Sequence, residues 1–556
     1  MTPEDIDVPG AQPKGWSWRD RARGAIVEAT ILDPGIEPLD GIEAFQTAYV
    51  PDRLLVSDGA RAGLLDDNLQ RVREAAGVFG WEAEPERLDG TALKDGERIE
   101  ARLPGAPAVM RVRLTAREGA DSASPALPDA WRVLQQVRRM LLAGDDVVRD
   151  ANGGVDAPAS LRRTGVDRIG LDHILTVDPI GVNPYTKSNP YTKSNPYTKS
   201  NPYTKSNPYT KSNPVGEYAD CGSGGRQPVA WIGPSPRVSA LERGHRRAVV
   251  AVLDTGIGAH SWLPDDLVDR EVKLDGHVVG FNDEANPEVY PDLYGPLDGE
   301  LDPVAGHGTF IAGIVRQVAP DAELLAVRVA DARGIVEESN LLKVVEQLGI
   351  LVQRHRDGVK GGRAIDVVNM SLGYYHETPE DGLYTRDLYD LLKVLRDLGT
   401  TIVVSAGNDA TDRPSFPASL WAWDGADNGL AADKAAEHVS VGALNPDCAT
   451  TALFSNVGPW VRTYAVGAAV LSTIPDFRGG LQATARDDQY ARRRLTIGPE
   501  DYRGGFAVWS GTSFAAPLVS GMIAARLGAV PEQKESIAVS VDAARAVVKQ
   551  VLDELD

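Results

Sequence analysis

From residue 248 onward, short runs that are apolar throughout alternate with amphipathic segments of 12 or more residues. The run Ala248–Leu253 reads Ala-Val-Val-Ala-Val-Leu, so it has no polar residue at either parity. Neither face of such a strand can look at water, and helices must cover both. Strands are predicted at Ala248–Leu253, Leu324–Val329, Ile365–Met370, Thr401–Ser405 and Val439–Ala443, with helices starting from His307, Ser339, Leu383 and Ser513. Strand, helix and strand in succession imply a parallel sheet, and the fold class is α/β.

At 556 residues the chain is too long for one ordinary core, so at least two domains are expected. Hydrophobic residues at 42% and charged residues at 25% exclude disordered, collagenous and membrane-embedded classes. The formal net charge of -21 repels phosphate backbones and anionic lipid heads, so neither nucleic acid nor a membrane surface is an expected partner. Cys221 and Cys448 are the two cysteines, which supply neither a disulfide framework nor a zinc ligand set and leave one bridge open. The N-terminus has no basic start followed by an apolar run, so a cytoplasmic location is expected.

A tandem hexapeptide, Asn-Pro-Tyr-Thr-Lys-Ser, begins at Asn183 and recurs at Asn189, Asn195, Asn201 and Asn207 before a broken start at Asn213. It contains no large aliphatic residue, and Pro in every copy removes ladder donors, so it reads as linker and not as solenoid. The chain then divides into an unassigned tail (1–45), a small α+β domain (46–180), a linker (181–244) and the α/β domain (245–556). In the small domain, strands are predicted at Arg53–Ser57 and Met110–Thr115 and helices at Asn68–Phe79 and Trp131–Leu142. The last of these carries Trp131, Leu134, Val137, Met140 and Leu141 at helical spacing.

Three segments carry chemistry. Asp254 closes the first strand of the α/β domain and is followed by Thr255 and Gly256, which puts a carboxylate at the carboxyl edge of the sheet. His307 stands in Gly306-His307-Gly308-Thr309 before an apolar helix, with small neighbours that let a substrate approach. Ser513 stands in Gly511-Thr512-Ser513-Phe514-Ala515-Ala516-Pro517, where Pro517 is expected within the first helical turn and unpaired backbone N–H groups would face an oxyanion. Each residue taken alone has a structural explanation.

In the order Asp, His, Ser, each at the end of a different α/β element, these segments resemble the subtilisin-like serine peptidases (subtilases, peptidase S8) over about residues 245–530. Val403-Val404-Ser405-Ala406-Gly407-Asn408 resembles that family's oxyanion-hole turn, and Ser371-Leu372-Gly373 resembles its substrate-pairing strand. The resemblance implies a serine endopeptidase in which His307 takes the proton of Ser513, Ser513 attacks the peptide carbonyl, and Asp254 orients the imidazole. It also implies that Asn408 is an oxyanion donor and that an extended polypeptide binds along Ser371, Leu372 and Gly373 near Gly407. Tyr374 departs from the family pattern and implies an aromatic or narrowed pocket beside Leu372.

Residues 46–180 are compatible with the pro-domains that assist folding and inhibit many such peptidases, so an intramolecular inhibitor and self-cleavage between Val182 and Gly225 are expected. The rival is a degenerate subtilase that binds peptides without cutting them. No cofactor and no metal are expected. The acidic insertion from Asp283 to Asp302, with six Asp or Glu before Leu301, reads as a cation loop or a solvated one.

Overall fold

The computed structural model of the chain describes residues 12–13, 16, 19–21, 29–59, 61, 63–94, 96–117, 127–144, 147–149, 153–177, 218, 224–378, 383–384, 386–426, 428–531 and 537–556. The hexapeptide repeats and Cys221 lie outside the described residues, and so does most of the stretch expected to be cut. Cys448 is free and exposed. Among the described residues, no helix is long and apolar enough to cross a membrane.

Seven parallel strands form the central sheet of the C-terminal half, in the order Thr463–Val466, His438–Leu444, Thr401–Ser405, Val367–Met370, Val249–Asp254, Glu323–Arg328, Val268–Asp269. Period-two alternation sends Val249, Ala251 and Leu253 into one core and Val250 and Val252 into another. Helices Glu338–Asp357 and Asp387–Asp397 cover the first face with Leu341, Leu342, Leu391 and Leu395. Helices His307–Val318 and Thr512–Leu527 cover the second with Phe310, Ile311, Phe514 and Ala515. Both faces are dry, as the unbroken apolar runs require.

After Val249–Asp254 the chain lays Val268–Asp269 at one edge, fills in Glu323–Arg328 between them, and then crosses to build the other side strand by strand. The order therefore reverses between the strands that end at Asp254 and Met370, where open α/β sheets form their crevice.

A second sheet, antiparallel throughout, runs in the order Ile335–Glu337, Ile169–Thr176, Ala48–Ser57, Val109–Ala116, Trp81–Glu86, with Thr30–Ile31 on the flank of Ala48–Ser57. Helices Leu64–Val78 and Ala130–Leu142 close its core through Val72, Trp131, Leu134 and Val137. Its first strand, Ile335–Glu337, belongs to the C-terminal half, so the sheet crosses from one half of the chain to the other.

Two boundaries differ from the sequence expectation. Thr30–Ile31 pairs with Tyr49 and Ala48 although it lies in the tail left unassigned. Gln227–Pro228 pairs with Val508 and Ala507 although it lies in the stretch read as linker. Both are two-residue strands, too short to show a period.

Candidate active site

Asp254 is the last residue of its strand and is fully buried. Its Oδ1 accepts from His307 Nδ1 at 2.8 Å, from the Thr255 N–H at 2.8 Å and from the Thr255 hydroxyl at 3.0 Å. Because Nδ1–H is committed to the carboxylate, Nε2 is the basic nitrogen of the imidazole. His307 Nε2 is buried and has no hydrogen-bond partner among the described residues, and the imidazole ring packs against those of Trp509 and Phe514, with centroids 5.5 and 5.2 Å away.

His307 is the first residue of its helix. The small residues around it serve packing, which corrects the expectation that they open room for a substrate. A Cβ on Gly308 would lie 2.0 Å from the Gly256 carbonyl oxygen, so only glycine lets the Asp254 loop reach the His307 helix. Gly306, at φ +81°, turns the chain into that helix in the left-handed region.

Ser513 is the second residue of helix Thr512–Leu527 and is nearly buried. Since Nε2 of His307 is unpartnered, the His307–Ser513 hydrogen bond is not formed here, as is common before a substrate aligns such groups. Pro517 corrects a second expectation, because it is the sixth helical residue and lies beyond the first turn. Having no N–H, it cannot donate to the Ser513 carbonyl four residues back. The Ser371 hydroxyl takes that role at 2.9 Å. Asn369 donates to Ser371 at 3.1 Å and accepts from Ser520 at 2.9 Å, which extends the buried network.

Asn408 Oδ1 accepts from the Thr512 N–H at 2.8 Å and from its hydroxyl at 2.9 Å. The amide is thereby held with its oxygen on the start of the Ser513 helix and its NH2 group beside Gly511. Gly407 donates to the Thr512 hydroxyl at 3.0 Å. It has φ +105°, and a Cβ there would meet Asn456 Nδ2 at 2.4 Å.

Leu372 is buried in the core. Gly373 exchanges two backbone hydrogen bonds with Thr176, each 3.0 Å, and the Val177 N–H donates to the Gly334 carbonyl at 2.8 Å. The end of the N-terminal half therefore lies as a strand between Gly334 and Gly373, on the segment expected to pair with a substrate.

Tyr374 does not line an open pocket. Its ring stacks on His173, with centroids 4.6 Å apart, and its hydroxyl donates to Glu338 at 3.3 Å.

His173, on strand Ile169–Thr176, is buried with Nδ1 at 2.6 Å from Glu338 and Nε2 at 2.8 Å from Glu377. Burial opposes its charge, yet Glu338 and Glu377 hold its pKa up to about 10. Glu377 resists its own burial through His376, His173 and Arg138 and lies well below the usual carboxylate range. Burial pushes His376 down to about 3, which keeps it neutral. His173, His376 and Glu377 are close enough to share a cation. The donor set does not fit one, because His173 and Glu377 already bond each other and the cations His173 and Arg138 balance Glu338 and Glu377.

The acidic insertion is only partly solvated. Arg21 pairs with Asp292 at 2.5 Å, Asp302 accepts from the Leu293 N–H at 2.6 Å, and Glu288 turns inward beside Asp254 and His307. Sequence reasoning missed Glu288 because no local pattern separates it from five exposed-looking neighbours of like charge.

Asp254 and His307 thus meet at the crevice of an open parallel sheet, and the helix that carries Ser513 packs its Phe514 on the His307 ring. A sequence model of the Subtilase family, peptidase S8, matches residues 245–552, and the chain belongs to that family of serine peptidases. Among similar proteins, an intracellular serine protease of Paenibacillus polymyxa is 28% identical over 305 residues, 52% of this chain and 69% of the relative. Subtilisin-like protease 2 of Pseudogymnoascus destructans is 30% identical over 228 residues, 40% of this chain and 42% of the relative. Serine protease AprX of Bacillus subtilis is 27% identical over 304 residues, 51% of this chain and 57% of the relative. A solved cold adapted subtilisin-like serine proteinase is similar with a TM-score of 0.31 and 20% identity, covering 55% of this chain and 86% of that one.

Proposed function

We propose that the chain is an endopeptidase that cuts polypeptides through an acyl-enzyme on Ser513, with His307 as general base and acid and Asp254 as its orienting carboxylate. The observation that carries this reading is the 2.8 Å bond from His307 Nδ1 to Asp254, which leaves a buried Nε2 without a partner among the described residues. In this mechanism the Ser513 proton passes to Nε2 as Oγ attacks the carbonyl, and then to the departing amine. The Ser513 N–H and the Asn408 amide hold the oxyanion. Labelling by a fluorophosphonate probe tests the reading: the wild-type chain labels and Ser513→Ala does not. Equal labelling of both, or none of either, favours the peptide-binding alternative.

Asn408→Ala is expected to lower kcat by roughly a hundred- to a thousandfold with little change in KM, since the amide meets charge that exists only in the transition state. Steady-state kinetics on a peptide substrate measure this, and a change confined to KM contradicts it.

The N-terminal half is proposed to inhibit the site in cis. Support comes from Thr176 and Val177, whose backbone groups already use Gly373 and Gly334, where a substrate strand would pair.

A further inference from the structure

Glu288 lies in the loop before the His307 helix, 2% exposed, and places a buried carboxyl group beside Asp254 and His307. Its Oε1 lies 2.5 Å from the Thr255 hydroxyl and accepts from the Gly308 N–H at 3.0 Å, while the Thr309 hydroxyl donates to its Oε2. Thr255 follows Asp254, and Gly308 and Thr309 follow His307. One side chain thus ties together the segments that carry the acid and the base of the triad, and among the described residues its side-chain bonds stay within them.

The hydroxyl of Thr255 has a single hydrogen and two carboxylates within reach, Glu288 at 2.5 Å and Asp254 at 3.0 Å, and it already accepts from the Gly308 N–H at 2.9 Å. We propose that Glu288 is a proton-carrying positioning residue of the triad, which sets through Thr255 how strongly Asp254 supports the imidazolium.

With Glu288 ionised, the Thr255 hydrogen points to Glu288, Asp254 loses that bond, and a second negative charge stands beside it. Both changes favour a positive His307 in the transition state. With Glu288 protonated, its own O–H donates to Thr255 Oγ, the Thr255 hydrogen turns to Asp254, and the support weakens. The two states differ by one proton, which Glu288 takes up from solvent or releases to it, while the Thr255 hydroxyl keeps its own hydrogen and only turns.

The charged groups facing Glu288 are Asp254 on its strand, His307 on its helix, and Arg328, whose Cδ packs by Gly256 and whose guanidinium pairs with Asp283 at 2.6 Å. Burial foremost, with Asp254 adding to it against the threonine hydrogen bonds, lifts the Glu288 carboxyl to about 7, so the exchange falls in a working pH range.

This inference rests on the triad proposed above. Its test is the pH dependence of peptide hydrolysis and fluorophosphonate labelling by the full chain, wild type beside Glu288→Gln and Thr255→Val. In the wild type, two groups must lose protons before activity is complete, so the acid limb of log kcat is steeper than a slope of about one near pH 7. In Glu288→Gln the slope falls to about one. Activity drops on the order of tenfold above pH 8 but changes little below pH 6, the scale of one hydrogen bond to a charged group.

Thr255→Val, which keeps the hydroxyl hydrogen off Asp254 in both states while leaving Glu288 in place, also lowers the slope but with little change above pH 8 and higher relative activity below pH 6, and Thr255→Ser restores the wild-type profile. Should Glu288→Gln fail to fold, the threonine pair carries the test. A Gln or Val profile that keeps the wild-type slope, lowered uniformly or not at all, overturns the proposal while Ser513 still labels. Absence of labelling in the wild type overturns the triad and this inference together.

Discussion

Ser513→Ala and His307→Ala are each expected to reduce peptide hydrolysis roughly a millionfold, the scale that loss of one such group has in subtilisin. His260→Ala, only six residues from Asp254 in sequence, is expected to keep most activity. The reason is structural. The His260 ring packs against Trp262 and Phe506, and its Nδ1 accepts from the Trp262 N–H at 3.0 Å, so it shares no bond with Asp254. Turnover of an unstructured peptide by the three variants decides the matter, and equal losses at His260 and His307 would falsify the assignment.

The second large effect is expected at His173. Removing one partner of a buried ion cluster typically costs about 3–5 kcal/mol, because the charges left behind stay unpaired. His173→Ala removes the cation between Glu338 and Glu377, leaving the Tyr374 hydroxyl on Glu338 and Arg138, 3.9 Å away, beside Glu377. The strand Ile169–Thr176 should then leave Gly373 more often. The rate of Ser513 labelling should rise by a hundredfold or more on that energy scale, and hydrogen exchange at Thr176 should rise with it.

The wild type carries the same dependence on pH. The folded His173 is lifted from its ordinary 6.5 to about 10, so its contribution is complete below about 6.5 and is lost as pH climbs toward 10. Labelling that is flat from pH 7 to 10 would show that the cluster does not hold the strand.

Where a buried element is apolar, its sequence announced it. The runs at 249–254, 367–370 and 401–405 were legible because two dry faces make them mostly apolar, with polar residues confined to strand ends and to Asn369. Strand Ile169–Thr176 was not, although every residue in it is buried, because it spends Asp172 and His173 on partners more than 160 positions away. Trp81–Glu86 escaped for the opposite reason: as an edge strand it exposes Glu82 and Glu84 and tolerates Pro85. In the site, Asp254, His307, Ser513 and Asn408 stood out through small-residue settings and chain order. Glu288 lacked both, and the role of Ser371 under Pro517 depends on a contact across 142 residues that no local pattern encodes.

Asp172 accepts from both the backbone N–H and the hydroxyl of Ser339, at 2.9 and 2.8 Å, at the start of helix Glu338–Asp357, whose own Glu337 makes no capping bond. A 20-residue helix of the catalytic half thus has its first turn completed by a residue of the other half. If that half departs, the first turn loses its cap, at a typical cost of about 1 kcal/mol, and fraying begins beside Gly334, on the wall of the substrate channel. Occupancy of the cleft and order of its wall are then coupled: a bound strand without a carboxylate at that place meets a softer rim than the one the chain's own strand creates.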